Sequence, residues 1–170
     1  FARQSLWSLT CQVIGLNGMF PRTNTFNPEG IGGWNREGVR HVDIVTGCFL
    51  LISRDLWIEL GGFRELFFMY GEEADLCLRA QILGRQPIVT STATIVHYGG
   101  ASERVMADKA VRLLKAKMLL IYLYFSPGKR QLGVWLLSLW PVTRYFIHSV
   151  LVIAGRKSSI QQRDVWRTVL

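Results

Sequence analysis

The residues best equipped for chemistry are three carboxylates in one short run, Glu72, Glu73 and Asp75, and an imidazole further along, His97. Gly71 leads into the acidic run, and the pattern after it predicts a helix over residues 72–83 closed by Gly84. The three acids then fall in the first turn, where unpaired N–H groups and the helix dipole favour negative charge, so they are stable there without any function. Asp75 and Arg79 are four apart, the spacing of an intrahelical ion pair, which makes Asp75 more structural than catalytic. Ahead of the run stands Phe67-Phe68-Met69-Tyr70, and an aromatic stretch entering a helix terminus makes a pocket in which rings surround a polar group. Burial in such a pocket raises a carboxylate pKa and makes it a usable base. His97 follows an apolar stretch over residues 93–96 and precedes Tyr98-Gly99-Gly100, whose open N–H groups favour an anion or a metal. A lone histidine at a strand end is also a common packing residue, and no second His or Cys lies at metal-ligand spacing.

The elements that must hold these groups are a mixture. Leu6, Leu9, Val13 and Leu16 sit at helical spacing, and Asn17-Gly18 stops that helix. Residues 21–38 are rich in Asn, Gly, Pro and Arg and read as a long loop, in which Trp34 has no evident core face and stands as a candidate substrate contact. Residues 42–53 read as a buried strand interrupted at Thr46-Gly47, where a kink at Gly47 would let a ligand approach the backbone. One or two helical turns over 54–60 end at Gly61-Gly62, and short strands are expected at 87–89 and 93–97. Beyond Ser102, Val111, Leu114, Met118, Ile121 and Phe125 share a face of a basic amphipathic helix, which Ser126-Pro127-Gly128 breaks before an apolar stretch over 132–154 and a tail helix near 161–169.

With 170 residues and 49% hydrophobic composition, the chain has material for one domain or a part of one. A net charge of +8 suits an anionic partner: a nucleotide, a nucleic acid or a phospholipid surface. The basic residues lie on helices with broad apolar faces, which points to lipid sooner than to nucleic acid, and no nucleic-acid partner is expected. Three cysteines, Cys11, Cys48 and Cys77, are widely spaced in apolar sequence and fit a reducing cytoplasm better than a disulfide framework or zinc site. The start at Phe1, without the order of a signal peptide, reads as a fragment whose upstream part is absent.

Three motifs in order carry a family resemblance. Val42-Asp43-Ile44-Val45-Thr46-Gly47-Cys48-Phe49, then Gly61-Gly62-Phe63 with Phe67-Phe68-Met69-Tyr70-Gly71-Glu72-Glu73-Ala74-Asp75-Leu76-Cys77-Leu78-Arg79, then His97-Tyr98-Gly99-Gly100-Ala101-Ser102 resemble bacterial family 2 glycosyltransferases, and rhamnosyltransferase-like members most. The resemblance is close over 43–102 and loose in the flanks. It implies an α/β fold, the C-terminal half of a GT-A nucleotide-diphospho-sugar transferase: a mostly parallel sheet with helices on both faces. Residues 1–102 would be its acceptor-side portion and 103–170 a pair of amphipathic C-terminal helices and a tail. The family's Asp-x-Asp element, which holds a divalent cation on the donor diphosphate, has no counterpart in this sequence. Where the family's acidic motif has Glu-Asp, with the aspartate as base, this chain has Glu72-Glu73, so Glu73 takes the base's place with a side chain one methylene longer, and Glu72 is its reserve. His97 matches a histidine that completes the cation or diphosphate site, for which manganese or magnesium is the expected cofactor. The implied reaction is an inverting displacement moving a sugar, rhamnose by resemblance alone, from a nucleotide-sugar donor to a cell-surface glycan or lipid-linked acceptor. Phe68 and Tyr70 would stack on the sugar and Gly47 would wall the donor site, although Phe67, Phe68 and Gly47 serve equally as core and kink. A non-catalytic binding or scaffolding piece of the same fold is the alternative reading.

The stretch 132–154 is long enough to span a bilayer, but a central Arg144 costs about 2.5–3.5 kcal/mol against the roughly 0.3–0.6 each leucine-like residue returns. Trp135, Leu139, Val142, Phe146, Val150 and Ile153 share one face, opposite Arg130, Arg144 and His148, which favours a helix lying in the interface on the cytoplasmic side of the cell membrane. Packing of both helices on the catalytic domain alone is the plainer reading.

Overall fold

The computed structural model describes residues 1–98 and 106–170, and among them the chain is mainly helical. In chain order the elements are α1 (Leu6–Ile14), α2 (Leu16–Met19), β1 (Val39–His41), α3 (Arg54–Leu60), α4 (Glu72–Ile82), β2 (Ile88–Thr90), α5 (Met106–Tyr124), α6 (Pro127–Ile153) and α7 (Ser159–Val169). The boundaries follow local chemistry. Ser5 caps α1 by accepting the Ser8 N–H at 3.0 Å, and Ser8 Oγ in turn accepts the Ser5 N–H at 2.9 Å. The helix stops two residues earlier than Asn17-Gly18 would dictate, because Gly15 adopts the left-handed conformation at φ +86°. Ser53 and Gly61 bound α3 in the same way, and Ser126 followed by Pro127 starts α6.

Two apolar clusters organise the helices, and α5 belongs to both. Ile121 packs with Leu9 and Val13 of α1 and with Leu136 and Leu137 of α6. From the adjoining face of α5, Ala116 and Leu120 pack on Phe67 and on Ala74 and Leu78 of α4. Helix α5 therefore fixes α4, and with it the acidic run, against the α1–α6 layer. At the junction, Tyr70 and Gly71 are both left-handed, with φ of +69° and +87°. A Cβ on Gly71 would stand 3.0 Å from the Phe67 ring and 3.1 Å from Ala116 Cβ, so strain and crowding act together there. Gly71→Ala is expected to lower unfolding stability by about 1–3 kcal/mol, a combined backbone and overpacking effect that urea denaturation would read as a lower midpoint at unchanged slope.

The sheet is the main departure from expectation. The described residues hold one antiparallel ribbon, with Val39 opposite Thr90, Arg40 opposite Val89 and His41 opposite Ile88. Residues 42–53 are not a strand. The N–H of Val42 donates to the Pro87 carbonyl, and those of Asp43 and Ile44 donate to the Phe1 carbonyl, after which the chain runs without ladder partners. A strand exists only by pairing, and no neighbouring strand lies beside residues 45–52 among the described residues, so β-favouring side chains are left in the open: Leu51 is 96% exposed. Residues 93–97 are exposed and irregular for the same reason. The mostly parallel sheet implied by the resemblance is thus not formed among the described residues. The expected strand at 87–89 is present one residue later, paired with β1, which the composition of its flanks had concealed within a loop boundary.

Candidate functional site

Helix α4 begins with three acids whose environments differ. Asp75 is 0% exposed. Its Oδ1 accepts from the Tyr124 hydroxyl at 2.6 Å and from Arg64 Nη1 at 3.1 Å, and its Oδ2 accepts from Arg79 Nε at 2.8 Å. Arg79 also donates from Nη1 to the Leu60 carbonyl at 2.5 Å and from Nη2 to the Gly62 carbonyl at 2.7 Å. The carboxylate therefore ties α4 to the end of α3 and to α5, the structural role its spacing predicted. Burial and the Asp75 carboxylate together hold the Tyr124 hydroxyl well above its ordinary pKa, so it stays a donor.

Glu73 is built differently. It lines a cavity of about 280 Å³ together with Tyr70, Gly71, Ala74, Ile44, Gln4 and the Glu29–Lys117 pair. Its Oε2 is buried and finds no hydrogen-bond partner among the described residues. Burial pushes its pKa above the ordinary glutamate value and the neighbouring Glu72 pushes it further, against hydrogen bonds from the backbone at Glu73 and Gly71. Gly47 lies beside it: a Cβ there would meet the Glu73 side chain at 3.7 Å. The kink expected at Gly47 is thus an open loop that leans on the candidate base. Glu72 also has a buried, unpartnered Oε2 among the described residues, but it does not line this cavity.

The other sequence-derived candidates are dispersed. The aromatic pair divides: Phe67 is core, whereas Phe68 is 86% exposed beneath the guanidinium of Arg112, 5.5 Å from the ring centroid. Tyr70 reaches the Glu73 cavity. Trp34 lines a separate hollow with Asn24, Gly33 and Arg40, flanked by the guanidinium groups of Arg36 and Arg40 at 4.8 Å and 5.2 Å. His97 is exposed and lies outside the Glu73 cavity, and Gly99-Gly100-Ala101-Ser102 beside it lie outside the described residues. Among the described residues no three His, Cys, Asp or Glu side chains come together in a way that holds a metal ion. The donor set that manganese or magnesium needs is therefore not assembled by them.

Three contributors to the cavity carried no sequence signal of their own. Gln4 stands just ahead of the Ser5 cap, Glu29 sits in the loop, and Lys117 read as one more charge on a basic face. Lys117 Nζ donates to Glu29 Oε2 at 2.8 Å and to Gln12 Oε1 at 3.3 Å, and Ser8 Oγ donates to Glu29 Oε1 at 2.7 Å. This network pins the loop over the cavity wall, and the loop's two glutamates and two arginines gave no hint of which acid would make it.

Two curated proteins resemble parts of this chain. Rhamnosyltransferase WbbL of Escherichia coli (strain K12) is 32% identical over 71 residues, covering 42% of this chain and 27% of that protein. The O-antigen biosynthesis protein RfbC of Myxococcus xanthus is 28% identical over 102 residues, covering 56% of this chain and 8% of that protein. The chain thus spans about a quarter of the first and less than a tenth of the second. No family model and no solved structure matches it. The partial likeness relates the chain, at a coarse level, to glycosyltransferases of surface polysaccharide synthesis.

Proposed function

We propose that this chain is the acceptor-side portion of an inverting glycosyltransferase of the GT-A class, in which Glu73 takes the proton from an acceptor hydroxyl as that oxygen attacks the anomeric carbon of a nucleotide-sugar. The observation that carries the reading is the state of Glu73: a half-buried carboxylate at the wall of a cavity, with a raised pKa and an Oε2 that has no partner among the described residues. Such a group is costly unless something uses it. A cavity of about 280 Å³ is at the small end for ligand sites and suits one sugar ring of an acceptor rather than a whole nucleotide-sugar. The partial likeness to a rhamnosyltransferase supports a sugar-transfer reaction, with rhamnose as the donor sugar to try first. The test is transfer by the complete polypeptide carrying Glu73→Gln: turnover at the parental rate removes Glu73 from the mechanism and leaves the binding or scaffolding reading.

The same protein is proposed to rest on an anionic membrane surface through α6. Its outer face presents Trp135, Phe146, Val150 and Ile153, the last 87% exposed, and exposed Lys129, Arg156 and Lys157 flank its two ends. By length and composition α6 would also cross a bilayer, yet Arg144 on the inner face donates to the Gln12 carbonyl at 2.7 Å and is thereby held against α1. Cosedimentation with vesicles containing phosphatidylglycerol should be strong at low salt and weaken as salt rises. The pair Trp135→Ser and Phe146→Ser should reduce partitioning by at least about tenfold, since burying each aromatic ring is worth about 1.5–3 kcal/mol. Unchanged partitioning of that double variant would exclude α6 as the contact.

A further inference from the structure

The hollow at Trp34 gathers positive charge that the chain does not neutralise. The guanidinium of Arg36 stands 4.8 Å from the Trp34 ring centroid and that of Arg40 5.2 Å, so the two cations are no farther apart than about 10 Å, the screening length at 0.1 M salt. Among the described residues neither makes an ion pair, and the Arg40 side chain donates no hydrogen bond. Arg36 is fixed from within the loop, its Nη2 donating to the Gly30 carbonyl at 2.9 Å. The loop's acids are engaged elsewhere, Glu29 with Lys117 and Ser8, and Glu37 with Asn35 Nδ2 at 2.7 Å. On a loose loop such a pair would be no more than solvated surface, but this loop is built. A Cβ on Gly32 would stand 2.5 Å from the Thr23 carbonyl oxygen and one on Gly33 2.8 Å from that of Arg22, so two stretches of backbone lie one on the other with no room for a side chain. Ile31 is buried and β-branched yet left-handed at φ +50°, and Arg36 is left-handed at φ +69°. Backbone this unfavourable persists only where its surroundings impose it, and it is characteristic of ligand clamps. The two strained residues bracket Trp34.

We infer that this hollow of about 490 Å³ binds a phosphoryl anion, a phosphate or diphosphate group whose oxygens accept from Arg40, Arg36 and the amide of Asn24. Two guanidinium groups at one ring favour a group carrying close to two negative charges over a single carboxylate. With two cations over it, the indole is a platform for them rather than an open face for a sugar. Trp34 is thus a positioning residue, in place of the sugar contact expected from its sequence setting. The site does not rest on the role given to Glu73, which lines a different cavity. The phosphoryl group belongs either to a soluble nucleotide or diphosphate or to a lipid headgroup, and the same side chains would hold either.

The test is calorimetric titration of the full chain with inorganic phosphate and inorganic pyrophosphate in a low-salt, phosphate-free buffer, beside cosedimentation with vesicles of phosphatidylglycerol and phosphatidylcholine. Arg40→Gln should weaken the tightest-binding of these probes at least tenfold, whereas Arg54→Gln, which removes the same charge from an exposed position on α3, should change it less than twofold. Trp34→Leu leaves the net charge at +8 and should still weaken binding at least fivefold, and Trp34→Phe, which keeps a ring for the cations, should restore most of it. A diffuse basic surface responds to charge alone and would show neither effect. Loss confined to the inorganic anions assigns a soluble phosphoryl ligand, and loss on the vesicles assigns a lipid headgroup. No binding of any probe by the parent overturns the proposal, as does equal weakening by Arg40→Gln and Arg54→Gln, or undiminished binding by folded Trp34→Leu. Should Trp34→Leu fold poorly, the exposed Arg36→Gln takes its place with the same expected fivefold loss, and unchanged binding by it overturns the proposal equally.

Discussion

Asp75→Ala should destabilise the protein by about 3–5 kcal/mol, the range for removing one partner of a buried ion pair. The size of the effect comes from what is left behind. Arg79 is buried, and its Nε loses its carboxylate partner while the guanidinium remains fixed by the carbonyls of Leu60 and Gly62. Tyr124 loses its 2.6 Å acceptor on the facing side. Stabilities of single domains are about 5–15 kcal/mol, so the variant should be near the edge of folding at ordinary temperature. A graded series checks the mechanism. Tyr124→Phe removes one hydrogen bond to a charged acceptor and should cost about 1.5–3 kcal/mol, and Arg64→Ala, whose partner bond is half in solvent, should cost about 1 kcal/mol or less. Urea denaturation of the three variants gives the order directly. If Asp75→Ala were no worse than Arg64→Ala, Asp75 would not be the hub that holds α4.

Local chemistry made much of this legible in advance. The Asp75–Arg79 pair followed from a spacing of four, and α3 and α4 ended at Gly61 and beside Gly84 because left-handed termini favour glycine. The apolar and basic faces of α5 and the exposed face of α6 followed from helical periodicity. Two kinds of information were missing. Strand formation depends on a neighbour, and the apolar composition of residues 42–53 carries no record of whether a partner lies beside it in this chain. The cavity depends on contacts between residues far apart in sequence: Lys117 meets Glu29 across 88 positions, and neither residue type nor spacing announces that. The sequence reading offered Glu73, Phe68, Trp34 and His97 as candidate site residues, whereas of these four only Glu73 lines the cavity, with Tyr70 and Gly47 against it. A linear motif preserves order along the chain, and order does not fix convergence in space.

Glu73→Gln should reduce sugar transfer by about 10²–10⁴-fold, the usual contribution of a positioned general base, while leaving acceptor binding within a few fold. Folding supplies the control. Because the folded-state pKa of Glu73 is raised above the ordinary 4.5, its contribution to stability is fully present below pH 4.5 and is lost as pH rises through the folded value. At neutral pH the glutamine variant, which carries no charge to bury, should therefore be at least as stable as the parent, and a loss of turnover in it cannot be put down to unfolding. The pH profile of the parent follows from the same shift. A base must be deprotonated to act, so kcat/KM should fall on the acid side with a limb above pH 4.5, displaced upward by burial and by Glu72. Glu72→Gln removes the smaller of those causes and should move the limb slightly downward with little change in the plateau. Glu73→Asp tests reach: withdrawing the carboxylate by one methylene misplaces it by about 1 Å, which costs roughly a hundredfold in rate. A Glu73→Asp variant faster than the parent would mean that the cavity was shaped for aspartate, and the reach of the longer side chain would then not be what places the base.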